Sequence, residues 1–234
     1  KEIVMAKFLM QIRESYFIGP FTLDSVAKNP MGSLQALEKY DLAVIAKPTE
    51  TFTDQEKQVL DQFIVNGGKT IWLIDQVTME MDSLYNDFGS TLAFPRDLNL
   101  NDMFFKYGIR LNPDIVKDEQ GSPIKLATGE VGSATQYQQF NWKFAPQVYP
   151  KSSHPIVKNL GGIKFDFANP IDTLKNGIKK TILLQSSPYS KTVGTPTEIS
   201  LAMVNDEPQQ SDYMTGGNIP VAVLLEGKFH SAFE

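Results

Sequence analysis

Apolar residues form four short continuous runs along the chain, at 42–46, 70–74, 181–184 and 221–225. A continuous apolar run of this length is typical of a strand that is covered on both faces. We therefore expect the four runs to lie in one mixed sheet that has helices on both sides.

The segment between the first two runs predicts a helix with a defined start and end. Thr53 and Glu56 have the spacing of a capping box, and an apolar stripe runs from Val59 to Ile64. The Asn-Gly-Gly sequence at 66–68 ends this helix, because glycine adopts the left-handed conformation of a C-cap at low cost. A strand, a helix and a strand in this order predict a βαβ unit with parallel strands.

Weaker patterns predict the remaining elements. We expect helices at 2–14, at 34–39 with Ser33 as the cap, and at 102–107 between Asn101 and Gly108. Further strands are expected at 109–111, 115–116, 164–167 and 199–204. Residues 117–155 are rich in Gln, Ser, Pro and Gly and predict few elements. Because no stretch has the composition of a linker, we expect a single α/β domain over 1–234, with an excursion at about 86–165.

Composition excludes several classes of function. The formal net charge is −5 and no basic run occurs, so nucleic acid is not expected as a partner. The chain has no cysteine, which excludes disulfides, thiolate metal sites and cysteine nucleophiles. No apolar run is long enough to cross a membrane. The chain opens with Lys1 and ends at Glu234 just after an apolar run, so we expect a piece excised from a longer protein, in which an anchor could lie outside this chain.

Candidate catalytic residues are few. Ser187 follows an apolar run, but Pro188 comes next and no Gly-x-Ser-x-Gly elbow occurs. His154 and His230 are far apart and no HExxH motif is present, which argues against a metal site. The paired glycines do not open a helix as a phosphate loop does. We therefore predict no catalytic residue, no metal and no cofactor.

Polar residues at the ends of the apolar runs are the candidates for ligand binding, because open α/β sheets bind ligands at the carboxyl ends of their strands. The residues are Lys47, Asp75, Gln76, Ser187 and Glu226. Loop capping and solvation are the alternative explanation for all five.

A group of aromatic residues lies in the polar excursion: Tyr137, Phe140, Trp142, Phe144 and Tyr149. Such side chains could line a sugar-binding surface or a protein interface. Alternatively, they pack the excursion onto the sheet.

Several segments together resemble the GldG family of gliding-motility-associated ABC-transporter auxiliary proteins. They occur in the family's order and span nearly the whole chain: 38–48 (EKYDLAVIAKP), 52–57 (FTDQEK), 60–63 (LDQF), 66–75 (NGGKTIWLID), 105–110 (FKYGIR), 154–160 (HPIVKNL) and 220–229 (PVAVLLEGKF).

The resemblance implies a three-layer α/β/α domain with a mostly parallel central sheet, similar in shape to class I glutamine amidotransferases. It implies a location on the periplasmic side of the cytoplasmic membrane in Bacteroidetes-type bacteria, with anchoring helices outside this chain. It also implies association with the permease and ATPase subunits of an ABC transporter. Family members normally have an additional strand before the opening helix.

Three functions stay open at this stage. The first is a non-catalytic auxiliary or substrate-binding domain that binds a partner protein or a saccharide. The second is a hydrolase on an amidotransferase-like scaffold, and the third is a structural module that spaces or dimerises the complex. The absence of a cysteine nucleophile favours the first, so we do not expect an enzyme.

Overall fold

The structure is a computed structural model that describes residues 2–131, 134–213 and 216–233. Its helices are α1 (Glu2–Ile12), α2 (Pro30–Leu37), α3 (Asp54–Val65) and α4 (Asn101–Tyr107), with 3₁₀ turns at Met81–Leu84, Leu201–Asn205 and Gln210–Tyr213. Its strands are β1 (Leu42–Ala46), β2 (Lys69–Leu73), β3 (Ser90–Ala93), β4 (Ile109–Leu111), β5 (Ile115–Asp118), β6 (Gly121–Val131), β7 (Ala134–Val148), β8 (Ile163–Lys164), β9 (Ile171–Thr173), β10 (Lys179–Gln185), β11 (Ser190–Val193), β12 (Thr197–Ser200) and β13 (Pro220–Glu226). Within the described residues, no helix combines the length and apolar character needed to cross a membrane.

The predicted βαβ unit is confirmed. β1 and β2 pair in parallel, with Val44 opposite Ile71, and α3 connects them. The capping box is formed as predicted, since the Thr53 amide donates to the Glu56 carboxylate at 2.7 Å and the Glu56 amide donates back to the Thr53 hydroxyl. Local sequence signals therefore suffice to define this unit.

The expectation that β1 and β2 are covered on both faces is wrong. Leu42, Val44, Ile71 and Leu73 are 44%, 39%, 44% and 45% exposed, and they alternate with partly buried residues. The alternate side chains, such as that of Trp72, pack against the core that contains α3. Side chains of a strand alternate between two faces, and in the described part of the chain only the α3 face is well covered.

The other strand pairs of the structure are antiparallel. β10 pairs with β13, so the runs at 181–184 and 221–225 form a ladder separate from that of β1 and β2 rather than the one mixed sheet we expected. β3 pairs with β12, β4 with β9, β5 with β11, and β7 with both β6 and β8. The three-layer α/β/α arrangement with a mostly parallel sheet therefore stays a prediction.

The expectation of few elements at 117–155 is also wrong. This region forms the long antiparallel hairpin of β6 and β7. Trp142 and Phe144 in the inner half of β7 are 0% and 2% exposed, whereas Tyr137 in its outer half is 68% exposed. The outer half of the hairpin has no apolar face to bury, so polar residues are frequent there. The sequence therefore lacks the alternation of apolar and polar residues that predicts a strand.

Several predicted boundaries need correction. Asn29, not Ser33, caps α2, and its side chain accepts a hydrogen bond from the Gly32 amide. Gly108 ends α4 with φ 91° as predicted, but Asn101 lies inside that helix instead of capping it. The strand expected at 199–204 changes into a 3₁₀ turn after Ser200, and the one expected at 164–167 ends at Lys164.

Two hydrophobic clusters hold most of the buried residues. The first contains residues of α2, α3 and α4 together with the inward side chains of β1 and β2. The second contains residues of β3, β5, β6, β7 and β12. The hairpin therefore joins the body of the domain through its inner half, which belongs to the second cluster.

Candidate functional site

Lys47 and Asp75 lie together at the carboxyl ends of β1 and β2, as the parallel pairing requires. The Lys47 ammonium is 3.1 Å from the Asp75 carboxylate and 3.0 Å from that of Glu80. Partial burial acts to lower the pKa of Lys47, but the hydrogen bond to Glu80 and the charge of Asp75 outweigh it and the pKa is raised. The positive charge of Lys47 is thus balanced by the carboxylates of Asp75 and Glu80.

Gln76 is buried beside this ion pair, at 3% exposure. The backbone amide of Gln76 donates to the Asn169 side chain at 2.7 Å, and its backbone carbonyl accepts from the backbone amide of Arg96 at 2.7 Å. These contacts join the segment that follows β2 to two loops. They give the backbone of Gln76 a structural role.

Ser187 lies in a separate, buried polar cluster. Its hydroxyl donates to Asp118 at 2.6 Å and its amide donates to the same carboxylate at 2.8 Å. Asp118 also accepts from the Gln120 amide at 2.9 Å. The Ser187 hydroxyl is thus held by a carboxylate that organises two turns, and neither histidine is among its hydrogen-bond partners in the described chain.

Glu226 lies at the far end of the β10–β13 ladder from Ser187. It is opposite Lys179 in register and forms an ion pair with it at 2.9 Å. The opposite end of this ladder pairs Gln185 with Pro220, about 20 Å away for a strand of this length. The five predicted residues therefore do not form one site. The prediction assumed that all the strands are parallel. Because β10 and β13 pair antiparallel, their carboxyl ends lie at opposite ends of the ladder.

No cluster of three histidine, aspartate or glutamate side chains suited to a metal ion occurs within residues 2–131, 134–213 and 216–233. His154 is in a turn, where its Nδ1 accepts a hydrogen bond from the Ile156 amide at 3.3 Å. This contact gives the His154 side chain a structural role in the turn.

A groove of about 530 Å³ lies where the outer half of the hairpin leaves the body of the domain. Its floor contains Leu126, Phe140, Leu201 and Val204, which are partly buried against the second cluster. A groove of this volume is within the range of sites that hold small ligands or anchoring side chains.

The walls of the groove are aromatic and polar. Tyr85 and Tyr137 are 58% and 68% exposed. Lys125 is the one charged residue among those that line the groove. The Asn86 amide also lines it, but this amide donates to the carbonyls of Ser83 and Ser90 at 2.8 and 2.9 Å.

The structure divides the aromatic group of the excursion into buried and exposed members, and a binding role of the exposed members stays a prediction. Trp142 and Phe144 pack in the core, whereas Tyr137 and Phe140 line the groove and Tyr149 is 55% exposed. A second concavity, of about 410 Å³, is formed by the consecutive residues 13–18 alone. It is a bend of one segment, so the hairpin groove is the better candidate for a binding site.

Comparison with protein families identifies the class of the chain. The family model described as an ABC-type uncharacterized transport system matches residues 2–234. The chain belongs to this ABC-type transport family. The comparison with curated proteins returns no match.

This member of the ABC-type transport family is also similar to solved structures. The structure described as "mmIFT52 N-terminal domain" matches with a TM-score of 0.49 and 18% sequence identity. The match covers 79% of this chain and 66% of the other chain, which is just under two thirds of that chain's length. At this level of similarity the match carries no argument about function.

Proposed function

We propose that this domain is a non-catalytic binding module of an ABC-type transport complex and that the hairpin groove is its binding site. The observation that carries the proposal is the pair of exposed tyrosines, Tyr85 and Tyr137, that line the groove together with apolar residues such as Phe140. Exposed aromatic side chains beside an apolar hollow are typical of interaction hot spots.

The finer assignment is to the GldG type of auxiliary protein, and it rests on the ordered segments quoted above. On this proposal the domain is on the periplasmic side of the cytoplasmic membrane, and its partners are the permease and ATPase subunits. The α/β/α shape of an amidotransferase-like domain belongs to the same proposal. Membership of the ABC-type transport family supports the choice of partners.

The hydrolase alternative has little support from the geometry. A serine nucleophile needs a base within hydrogen-bond reach and an exposed hydroxyl. Ser187 is 5% exposed, and its hydroxyl donates to Asp118, which also binds two backbone amides. The arrangement orders turns and presents no hydroxyl to a substrate.

The test is co-isolation of the permease and ATPase with the full-length protein, expressed in its own host. The double variant Tyr85→Ala/Tyr137→Ala should reduce the recovered permease strongly, because it removes both exposed aromatic walls. Tyr16→Ala, at a tyrosine that is 70% exposed and outside the groove, is the matched control. Equal recovery with all three proteins would refute a role of the groove in the complex.

A further inference from the structure

The backbone of the hairpin determines how an occupant of the groove could bind. Four consecutive residues of β6, from Lys125 to Thr128, line the groove. Successive side chains of a strand point to opposite faces, so a groove lined by four consecutive residues reaches the edge of β6 in addition to the side chains of Tyr137 and Phe140 on β7. An occupant can therefore lie beside β6 while it contacts side chains of both strands.

That edge is open in the structure. In the three-stranded sheet β6–β7–β8, β6 is an outer strand whose one partner among the described residues is β7. In an antiparallel ladder, alternate residues of an outer strand direct their N–H and C=O groups away from the partner. These groups can pair with an added strand.

The outer half of the hairpin also needs support. A two-stranded ribbon is marginally stable alone in water, and the outer residues of β7 have no third strand in the described chain. Tyr137, in this outer half, is exposed. An added strand along β6 would extend the sheet at this point.

The chemistry of the groove favours a peptide over a sugar. The floor is apolar, and both hydrogens of the Asn86 amide are already used by backbone carbonyls. A saccharide would need several convergent polar groups, whereas an apolar side chain fits this floor directly. Lys125 adds one positive charge with no carboxylate among the groove residues, in a chain with a formal net charge of −5.

We propose that the groove is a strand-addition site for an extended segment of a partner protein that carries an apolar residue next to an acidic one. The segment pairs with the open edge of β6, its apolar side chain contacts Leu126 and Leu201, and its carboxylate lies near Lys125. The inference rests on the proposed function, because it names the kind of partner that the same groove binds.

The test begins with a random octapeptide library displayed on phage and selected against the whole chain. Selection should enrich extended sequences with an acidic residue beside an apolar one. The enriched peptide is then synthesised in two forms, unmodified and N-methylated at alternate amides. N-methylation should weaken binding at least about tenfold, because it removes the backbone hydrogen bonds of strand addition.

Charge reversal tests the second part of the proposal. Lys125→Glu should weaken binding of the acidic peptide by at least about fivefold at low salt. Lys175→Glu makes the same change at an exposed lysine outside the groove and should leave the affinity within about twofold. Both substitutions are at exposed positions, and thermal unfolding should show that both variants fold.

Other outcomes would overturn the inference. These are the absence of any enriched peptide, enrichment without an acidic position, or equal binding of the N-methylated form. Retention of neutral oligosaccharides on a glycan array that depends on Tyr137 would assign the groove to sugars instead. A dimer in sedimentation that Tyr137→Ala dissociates would assign it to a second copy. If the peptides fail while the Tyr85/Tyr137 variant still loses the permease, strand addition is wrong and the proposed function stands.

Discussion

The hydroxyl of Tyr107, at the end of α4, lies 2.5 Å from the carboxylate of Asp61 on α3 and donates a hydrogen bond to it. Asp61 is 0% exposed and also accepts from the Ser231 hydroxyl at 2.7 Å and the Ala232 amide at 2.9 Å. One buried carboxylate thus connects two helices to the C-terminal segment. Within the part of the chain that the structure describes, hydrogen-bond donors and no ion pair compensate its charge, which makes each donor important.

Tyr107→Phe should therefore lower the free energy of unfolding by about 1–3 kcal/mol at pH 7, because a buried charged acceptor loses one donor. Burial, and then the hydrogen bond to Asp61, raise the pKa of Tyr107 above its ordinary value of 10.0. A raised pKa in the folded state contributes stability that is fully present below pH 10 and is lost as the pH rises further.

Urea unfolding at pH 7, 9 and 10.5 measures this effect. The stability difference between the wild type and Tyr107→Phe should shrink between pH 9 and 10.5. Tyr16→Phe makes the same change at a tyrosine that is 70% exposed and serves as the control. A difference that stays constant over this pH range would contradict the role assigned to the hydrogen bond.

Lys57 allows a test of whether a buried amine stabilises the domain by its charge or by its packing. Its side chain is 1% exposed, and its ammonium is 2.7 Å from Asp102 and 3.1 Å from Asp54. Burial acts to lower the pKa of Lys57, but its hydrogen bonds to Asp102 and Asp54 outweigh burial and raise it. The two aspartates are 60% and 77% exposed, so they stay hydrated when the amine is removed.

Lys57→Met should consequently stay within about 1 kcal/mol of the wild type, because it retains the apolar stem and strands no buried charge. Lys57→Ala should cost about 2–4 kcal/mol, because it leaves a cavity between α3 and its neighbours. Chemical denaturation of both variants measures the contrast. Equal losses for the two variants would show that the ion pairs dominate.

The polar cluster at Asp118 gives a test of the hydrolase alternative. Asp118→Ala should cost about 2–4 kcal/mol, since it leaves the amides of Ser187 and Gln120 buried without acceptors. Ser187→Ala should cost about 1–3 kcal/mol, because Asp118 loses a donor and the Tyr189 amide loses its acceptor, and it should change no enzymatic turnover. A screen with ester and amide substrates, alongside thermal unfolding, checks both. Turnover that disappears in a stably folded Ser187→Ala variant would establish an enzyme.

The open face of β1 and β2 leads to a further prediction. Ile71→Thr should change the free energy of unfolding by less than about 1 kcal/mol, because Ile71 is already 44% exposed and threonine suits a strand. Ile45→Thr should cost about 2 kcal/mol or more, because the Ile45 side chain packs against the core. The two changes are identical in chemistry and differ in the face of the sheet. Similar effects would mean that both faces are covered.

Local sequence signals were sufficient for the elements whose ends are marked by specific residues. The capping box at Thr53 and the glycines after α3 defined the βαβ unit, and Gly108 defined the end of α4. Parallel pairing of β1 and β2 followed from the length of that connection. Lys47 and Asp75 were consequently brought together as expected.

Long-range pairing was not visible in the sequence. Ser187 binds Asp118 and Glu226 binds Lys179, and nothing in the local pattern around either residue indicates its partner. The groove was missed for the same reason, although Tyr137 and Phe140 were already noted as candidate interface residues. Seven residues from two other segments complete it, and their proximity depends on how the chain folds back on the hairpin.

The sequence by itself determined the bounds of α3, its place between two parallel strands and the end of α4, because caps, glycines and apolar runs act on a few neighbouring residues. Only the tertiary structure decided which strands pair, which face of β1 and β2 is covered, and which tyrosines are exposed. These properties depend on contacts between residues far apart in the chain, and an apolar run has the same pattern whether or not another element covers it.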